Sequence, residues 1–507
     1  MPVWLAPLHL SILPPPTKLE ANEFSFVENS GNTNPYKTIT STNSSELENL
    51  WVTGSGAGSK ATGYWVDSDG QEATFTNLGN IYVTAVDGAN SWSQRAIGAA
   101  DGATAINKGT IVVQNAYGMT VGSDKNGSTP AKIINEGSIA VYDTGAAMEL
   151  GGVKGSTAEN KGQIYVSKPS TNKEAFTIGV LVKDHEEGTF TNSGLIDAKE
   201  ATAAIAVQQG TSTDKNTILL SSGSQTLGNI LIDAPNTTLN MEDGAVYEGR
   251  IFVSKNASKT AISGTQKAEG LTASNGAGAA LFLAPADSSA SIKNALYSGN
   301  KASGATAAMG GAVYSNGSPI YFENTVFDGN SAVITAPAKA TDAATGGAIQ
   351  IKGSPDTVFK DVVFTNNTAA VTGANGIGAY AFGGAINVDY STGSTTGVKR
   401  DSDVKFIITK DLAYTGNTVS SDGTGKPDTY GYTHSHTQAG GFLFLDRGSV
   451  ATFEVQGAAT LTIGEKGTTG DTDSIASSMP NNNKVNGGQH ALLNKTGTGT
   501  LLSLIHI

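Results

Sequence analysis

The sequence predicts an all-β chain, specifically a right-handed parallel β-helix, and three observations carry that expectation. The second half alternates two signals. Gly-Gly steps fall at Gly310-Gly311, Gly346-Gly347, Gly383-Gly384 and Gly440-Gly441, and aromatic-x-x-Asn units end at Asn300, Asn330, Asn367 and Asn417. The first half repeats N-x-G-x-I-x-(V/A) from Asn77, Asn107, Asn135, Asn160 and Asn192, at spacings of 30, 28, 25 and 32 residues. Composition agrees: 63 of 507 residues are Gly and only 15% are charged, which marks a turn-rich β protein rather than a helical or disordered one. A constant period of this size means one structural unit stacked many times.

Taken in order, residues 1–22 read as an unstructured or non-native leader. The first 16 are apolar but hold Pro2, Pro7, Pro14, Pro15 and Pro16, and no Lys or Arg precedes Lys18. Residues 23–270 read as β-helix built from the N-x-G-x-I repeat. In each copy the Asn-x-Gly turn precedes an alternation that sends Ile and Val to one face, the period of a half-buried strand. Ile81, Ile111, Ile139, Ile164 and Ile196 are thus expected to stack inside, with Asn29-Ser-Gly31 as a degenerate first copy. Residues 271–463 read as β-helix built from the second pair of signals. There Gly-Gly supplies a tight corner opening a strand, and Asn closes the next strand in a turn, its amide able to bond its equivalent one coil away. Residues 464–507 read as a truncated repeat. Coils of 25 to 37 residues suit the right-handed form rather than the shorter left-handed one, giving roughly 13 to 15 coils stacked about 4.8 Å apart.

The absence of Cys fits a long exported chain, which carries no disulfide to trap a folded unit before it crosses a membrane. A net charge of −12 spread along the chain argues against a nucleic-acid partner. No apolar run reaches the length of a membrane-spanning helix.

The Gly-Gly-Ala-Ile and Phe-x-x-Asn pairs, over roughly residues 275–502, resemble the polymorphic outer-membrane proteins. The segment from Asn494 to Leu501, Asn-Lys-Thr-Gly-Thr-Gly-Thr-Leu, is similar to a repeat of autotransporter passenger domains. Departures are Phe442-Leu443 in place of Ala-Ile, Tyr in two aromatic slots, and a long insertion before Tyr414. The resemblance implies a Gram-negative surface protein, located at the cell surface, in the outer membrane or outside the cell. It would be threaded outward by a C-terminal outer-membrane β-barrel translocator that is missing from this chain. Adhesion or antigenic display is the implied role, with a host or neighbouring-cell surface protein or glycan as partner. The alternatives are a polysaccharide-active β-helix enzyme, lyase or glycosidase, and a phage or other extracellular fibre.

Chemistry is thinly signalled. Asp67 with Asp69, Asp401 with Asp403, and Asp471 with Asp473 could pair as catalytic acids or Ca²⁺ ligands. All sit in Ser/Gly-rich stretches, where acids ordinarily solvate a loop. Asp67-Ser-Asp69-Gly70 is half of a calcium loop, with too few ligands. His434 and His436 could point the same way in extended backbone, but no third ligand is near, and Asp184 to Glu187 reads as a polar turn. No nucleophile loop or phosphate-cradling motif is present. The expectation is therefore no enzyme, no cofactor and no metal site.

Segment lengths point to a binding surface instead. From Gly-Gly to the next aromatic the chain keeps its length, 16 residues from Gly311 to Phe327 and 17 from Gly347 to Phe364. From Asn to the next Gly-Gly it grows: 10, 16, 16 and 23 residues. Loops leaving one corner of successive coils lie side by side, so these should merge into a lateral patch. The longest holds Tyr430, Tyr432, His434 and His436, the candidate ligand-binding residues.

Overall fold

The computed structural model describes residues 25–29, 37–39, 43–46, 48–54, 62–67, 73–85, 94–122, 129–169, 176–183, 187–208, 215–339, 341–375, 377–389, 391–392, 399–400, 402–423, 437–446, 448–465, 472–477 and 491–504. They form two compact units, residues 1–183 with 193–204, and residues 184–192 with 205–507. Each is a right-handed parallel β-helix.

In the first unit each coil visits three walls. The first wall stacks Ser25–Asn29, Leu50–Gly54, Asn80–Ala85, Thr110–Gln114, Ser138–Tyr142, Gln163–Val166 and Leu195–Asp197, every pair parallel. The second stacks Lys37–Ile39, Thr62–Asp67, Arg95–Ala100, Tyr117–Val121, Gly145–Leu150 and Thr177–Val182. The third runs from Asn43–Glu46 to Thr157–Asn160. Register follows the repeat: Ile81, Ile111, Ile139, Ile164 and Ile196 are Cα partners in sequence, and none is more than 1% exposed. Each such side chain contributes about 1.5–3 kcal/mol of burial. On the second wall Tyr64, Ile97, Met119, Met148 and Val180 form the facing column.

The Asn-x-Gly turn between third and first walls shows why its residues recur. A Cβ on Gly109 would sit 2.0 Å from the Gly79 carbonyl oxygen, so only glycine lets the coils close up. The Asn side chains form a buried ladder. The Nδ2 of Asn77 donates to Oδ1 of Asn107 at 2.8 Å, Asn107 to Asn135 at 2.9 Å, and Asn135 to Asn160 at 2.8 Å.

The second unit keeps three walls, with Ile230–Ile232, Ile251–Val253, Leu281–Leu283, Val313–Asn316, Ile349–Lys352, Ile386–Asp389 and Leu443–Leu445 as the heart of the second. The Gly-Gly corners open its strands as the sequence predicts. Gly310, Gly346, Gly383 and Gly440 all have φ between 62° and 74°, closed to most side chains. Two aromatic columns fill the interior. Tyr297, Phe327 and Phe364 stack at 4.8 and 5.2 Å, and Phe322, Phe359, Phe406 and Phe453 at 5.9, 5.1 and 4.5 Å. The departure at Phe442 is a packing device. Tyr414 meets Phe364 edge-on at 84° instead of stacking, and the Phe442 ring fills the space beside it, 4.7 Å from Tyr414 and 5.8 Å from Phe406.

The second ladder is more fully bonded than the first. Asn300, Asn330 and Asn367 each donate Nδ2 to the next Oδ1 at 2.9, 3.0 and 2.9 Å, and each backbone N–H bonds the same oxygen. The left-handed residue of these turns is not the ladder Asn but the one before it: Gly299, Gly329, Asn366 or Gly416. That placement leaves the ladder amide pointing along the stack.

Two corrections concern the segments between Asn and Gly-Gly. Over the described residues they are not loops but two further parallel sheets. One stacks Thr272–Ala273, Lys301–Gly304, Ser331–Thr335, Thr368–Thr372 and Thr418–Ser421. The other stacks Ala307–Met309, Ala343–Thr345, Tyr380–Phe382 and Gln438–Ala439. They also enclose a core of their own, from Ala308, Ala332, Ile334, Ala344, Ala369 and Val371 among others. Growth in length has added a packed layer rather than slack chain.

Candidate functional site

The proposed loop residues Tyr430, Tyr432, His434 and His436 lie outside the described residues, as do Asp69, Asp184, His185, Glu186, Asp401 and Asp471. Asp67 ends a strand of the second wall, and Asp403 is exposed at the start of Asp403–Ile408. Asp473 overturns its reading as a solvated loop acid. It is fully buried and takes the last described rung of the second ladder. Its Oδ1 accepts the Asn417 backbone N–H at 2.8 Å and Nδ2 at 2.9 Å, and its Oδ2 accepts the Gly416 N–H at 2.8 Å. Burial pushes its carboxyl up from the ordinary range, and those hydrogen bonds offset only part of the rise.

The outward face of the second wall in the first unit carries a group of cations, a carboxylate and aromatic rings. Trp65, Gly98, Thr120, Glu149 and Leu181 are successive register partners on strands whose neighbouring positions point inward. The Trp65 ring lies flat across Gly98, where a Cβ would meet it at 2.4 Å. Arg95, at the start of its strand, reaches over that ring, its guanidinium carbon 5.4 Å from the ring centre, and donates from Nη1 to the Thr120 hydroxyl at 2.9 Å. Two coils on, the Lys183 ammonium donates to Glu149 Oε1 at 2.7 Å and sits 5.9 Å from the Tyr117 ring.

Desolvation lowers the pKa of both Arg95 and Lys183, and the Glu149 charge opposes it in each case. One carboxylate thus serves two cations on a floor of aromatic rings. Such a group can hold an anion or a carboxylate-bearing sugar by charge-assisted bonds. Among the described residues it shows no second carboxylate of the kind that paired acid/base hydrolysis of a glycoside uses. None of its members was signalled by the sequence, since they come from three coils and share no repeat.

A shallow depression of about 510 Å³ lies at the Asn-x-Gly corner, between Glu136, Ser138, Lys161, Gln163 and Leu195. Its charges are mutually paired, Lys161 with Glu159 at 3.3 Å and with Glu136 at 4.0 Å. Among the described residues no group of three or more His, Asp or Glu is placed to hold a metal ion. No helix is long and apolar enough to cross a membrane, which leaves membrane β-barrels unaddressed.

Residues 21–185 match the family described as the BigA third pectate lyase-like domain, about a third of the chain and the stretch that holds Trp65, Arg95, Glu149 and Lys183. No curated protein and no solved structure matches the chain.

Proposed function

We propose that this chain is a displayed β-helix passenger at the surface of a Gram-negative bacterium, of the polymorphic outer-membrane type. It is exported through an outer-membrane β-barrel translocator and binds a host or neighbouring-cell surface protein or glycan without catalysing its conversion. The observation that carries the reading is the division of labour within each coil. The repeated residues, Ile111 and Asn107 in one unit, Phe327 and Asn330 in the other, build the stack, whereas the outward rows change from coil to coil. An interior that repeats under an exterior that varies suits presentation of surface rather than one reactive cleft. The likeness of residues 21–185 to a pectate lyase-like domain supports the same architecture.

The test is display of the chain on a Gram-negative host through a β-barrel translocator, scored by protease accessibility and by attachment to epithelial and bacterial cells. Accessible protein that raises attachment is the expected result; accessible protein with no gain in attachment rejects the binding role. A second reading, a polysaccharide-active enzyme, draws on the Arg95, Glu149 and Lys183 cluster within the pectate lyase-like stretch. Release of unsaturated or reducing ends from a uronate polymer, lost in Lys183→Met, would establish it instead.

A further inference from the structure

The outward face of the first wall, in the first unit, has a chemistry unlike the rest of that unit. Its middle row reads Trp51, Tyr82, Val112, Ala140, Tyr165, each the register partner of the next. Tyr142, in the adjoining row, sets its ring 6.3 Å from that of Tyr165. Four half-buried aromatic rings therefore line one flat face, in two groups separated by the small residues Val112 and Ala140. The Tyr142 and Tyr165 rings are tilted 53° to each other. Burial raises the pKa of Tyr82 and Tyr142, and Tyr142 is raised further by the other two hydroxyl groups.

Polar groups on the face are mainly amides and hydroxyls, and its carboxylates sit at the margin: Asp143 just past the end of a strand, and Asp197 as the register partner of Tyr165 beyond the last ring. Asn80 Nδ2 donates to Asn49 Oδ1 at 2.9 Å, the Trp51 indole donates to the Thr84 hydroxyl at 3.3 Å, and Gln114 Nε2 donates to Asp143 at 2.6 Å. Over the strands from Leu50–Gly54 to Gln163–Val166 no outward position of this wall is Lys, Arg, Glu or Asp. The adjoining corner, by contrast, alternates Lys108, Glu136 and Lys161.

We propose that this face binds an uncharged saccharide chain, laid along the stacking direction with its sugar rings on Trp51, Tyr82, Tyr142 and Tyr165. The inference deepens the binding role proposed above and rests on it. Charge complementarity selects the ligand. An acidic polymer or nucleic acid requires cations that the face does not have. A protein partner requires an apolar patch to cover, yet Val112 and Ala140 are already 8% and 3% exposed. What remains accessible is flat ring surface with polar tips, which fits the C–H face and hydroxyl edge of a neutral sugar. The periodicity agrees, because strands about 4.8 Å apart nearly match the length of one pyranose in an extended chain.

The experiment titrates the purified full chain with neutral oligosaccharides, β-glucan, galactan and chitin fragments, and with uronate and sulfated counterparts, following Trp fluorescence and heat. The expected result is saturable binding of a neutral chain that changes less than about twofold across a wide salt range and weakens about tenfold or more in Tyr82→Ala and Tyr165→Ala. Tyr165→Phe, which keeps the ring and the packing, should retain most of the affinity and guards against misfolding. Three outcomes overturn the inference: no neutral chain binds; acidic chains bind better and salt abolishes the binding; or both alanine variants bind as well as the parent. If cell attachment persists while any of these holds, the binding role survives and the assignment of this face falls.

Discussion

Asn367→Ala tests the ladder most directly. The Asn367 side chain makes four hydrogen bonds in a fully buried site. Its Oδ1 accepts the Asn330 backbone N–H and Nδ2, both at 3.0 Å, and its Nδ2 donates to the Phe327 carbonyl at 3.0 Å and to Asn417 Oδ1 at 2.9 Å. Truncation orphans the Asn330 N–H outright. Asn330 Nδ2 keeps its bond to the Tyr297 carbonyl, and Asn417 Oδ1 keeps the Asn367 N–H, so these losses are partial. One fully orphaned donor and three partners that each lose a bond, Asn330 Nδ2, Asn417 Oδ1 and the Phe327 carbonyl, cost about 2–4 kcal/mol, which lowers amide protection about 30- to 700-fold at tenfold per 1.4 kcal/mol. Because stacked coils need not unfold together, the assay is hydrogen exchange resolved to the strands Val326–Asp328, Val363–Thr365 and Leu412–Tyr414.

Asn367→Asp sharpens the test. A carboxylate keeps the acceptor role but sets a second oxygen against the Phe327 carbonyl and Asn417 Oδ1, so it should be worse than alanine at neutral pH and recover on acidification. Parent-like protection in either variant would refute the claim that the ladder bears on coil stability.

Ile139→Asp should melt the flanking strands Thr110–Gln114 and Gln163–Val166 at a cost on the order of 4 kcal/mol, while exchange at Val326–Asp328 in the other unit stays slow. Phe442→Ala should cost about 3–5 kcal/mol in urea unfolding, whereas Ala348→Phe should also destabilise, because Phe327 and Phe364 already stack at 5.2 Å in its coil. For Asp473 the sign follows from a folded pKa raised above the ordinary value of 3.8: its contribution is full below that value and is lost as pH rises through the folded pKa. Asp473→Asn should flatten this segment of the stability–pH profile, and an unchanged profile would rule the carboxyl out as its source.

The stack was readable because its determinants repeat. Ile at a fixed offset from Asn-x-Gly gave both face and register, and Gly-Gly marked each corner where backbones approach. Three features were hidden for physical reasons. The extra layer is made of strands such as Ala307–Met309 and Ala343–Thr345, whose small residues are weak strand formers and read as loop. The left-handed residue before each ladder Asn is Gly in three coils and Asn in the fourth, beside an Asn that itself tolerates that conformation, so the sequence did not show which of the two adopts it. The Arg95, Glu149 and Lys183 group depends on unequal coil lengths, and only a settled register shows that positions 34 residues apart touch. Asp473 was misread because an acid two residues from Asp471 in a Gly- and Thr-rich stretch gives no hint that it takes a rung of the ladder.

The ladder also has a sense of direction. Every amide hands its N–H toward the C-terminal neighbour and receives on its oxygen from the N-terminal one, so each interior rung is interchangeable with the next. A gene duplication or unequal crossover that adds or removes a whole interior coil therefore joins a donor to an acceptor at both new seams. The last described position is distinct: the carboxyl of Asp473 accepts from Asn417 and carries no N–H needing a further acceptor. Recombination within the column can change the number of coils without creating an unmatched buried group, whereas a breakpoint that moves Asp473 inward would strand one. Length variation in such a chain should thus fall between ladder residues, leaving Asp473 with its Asn417 donor.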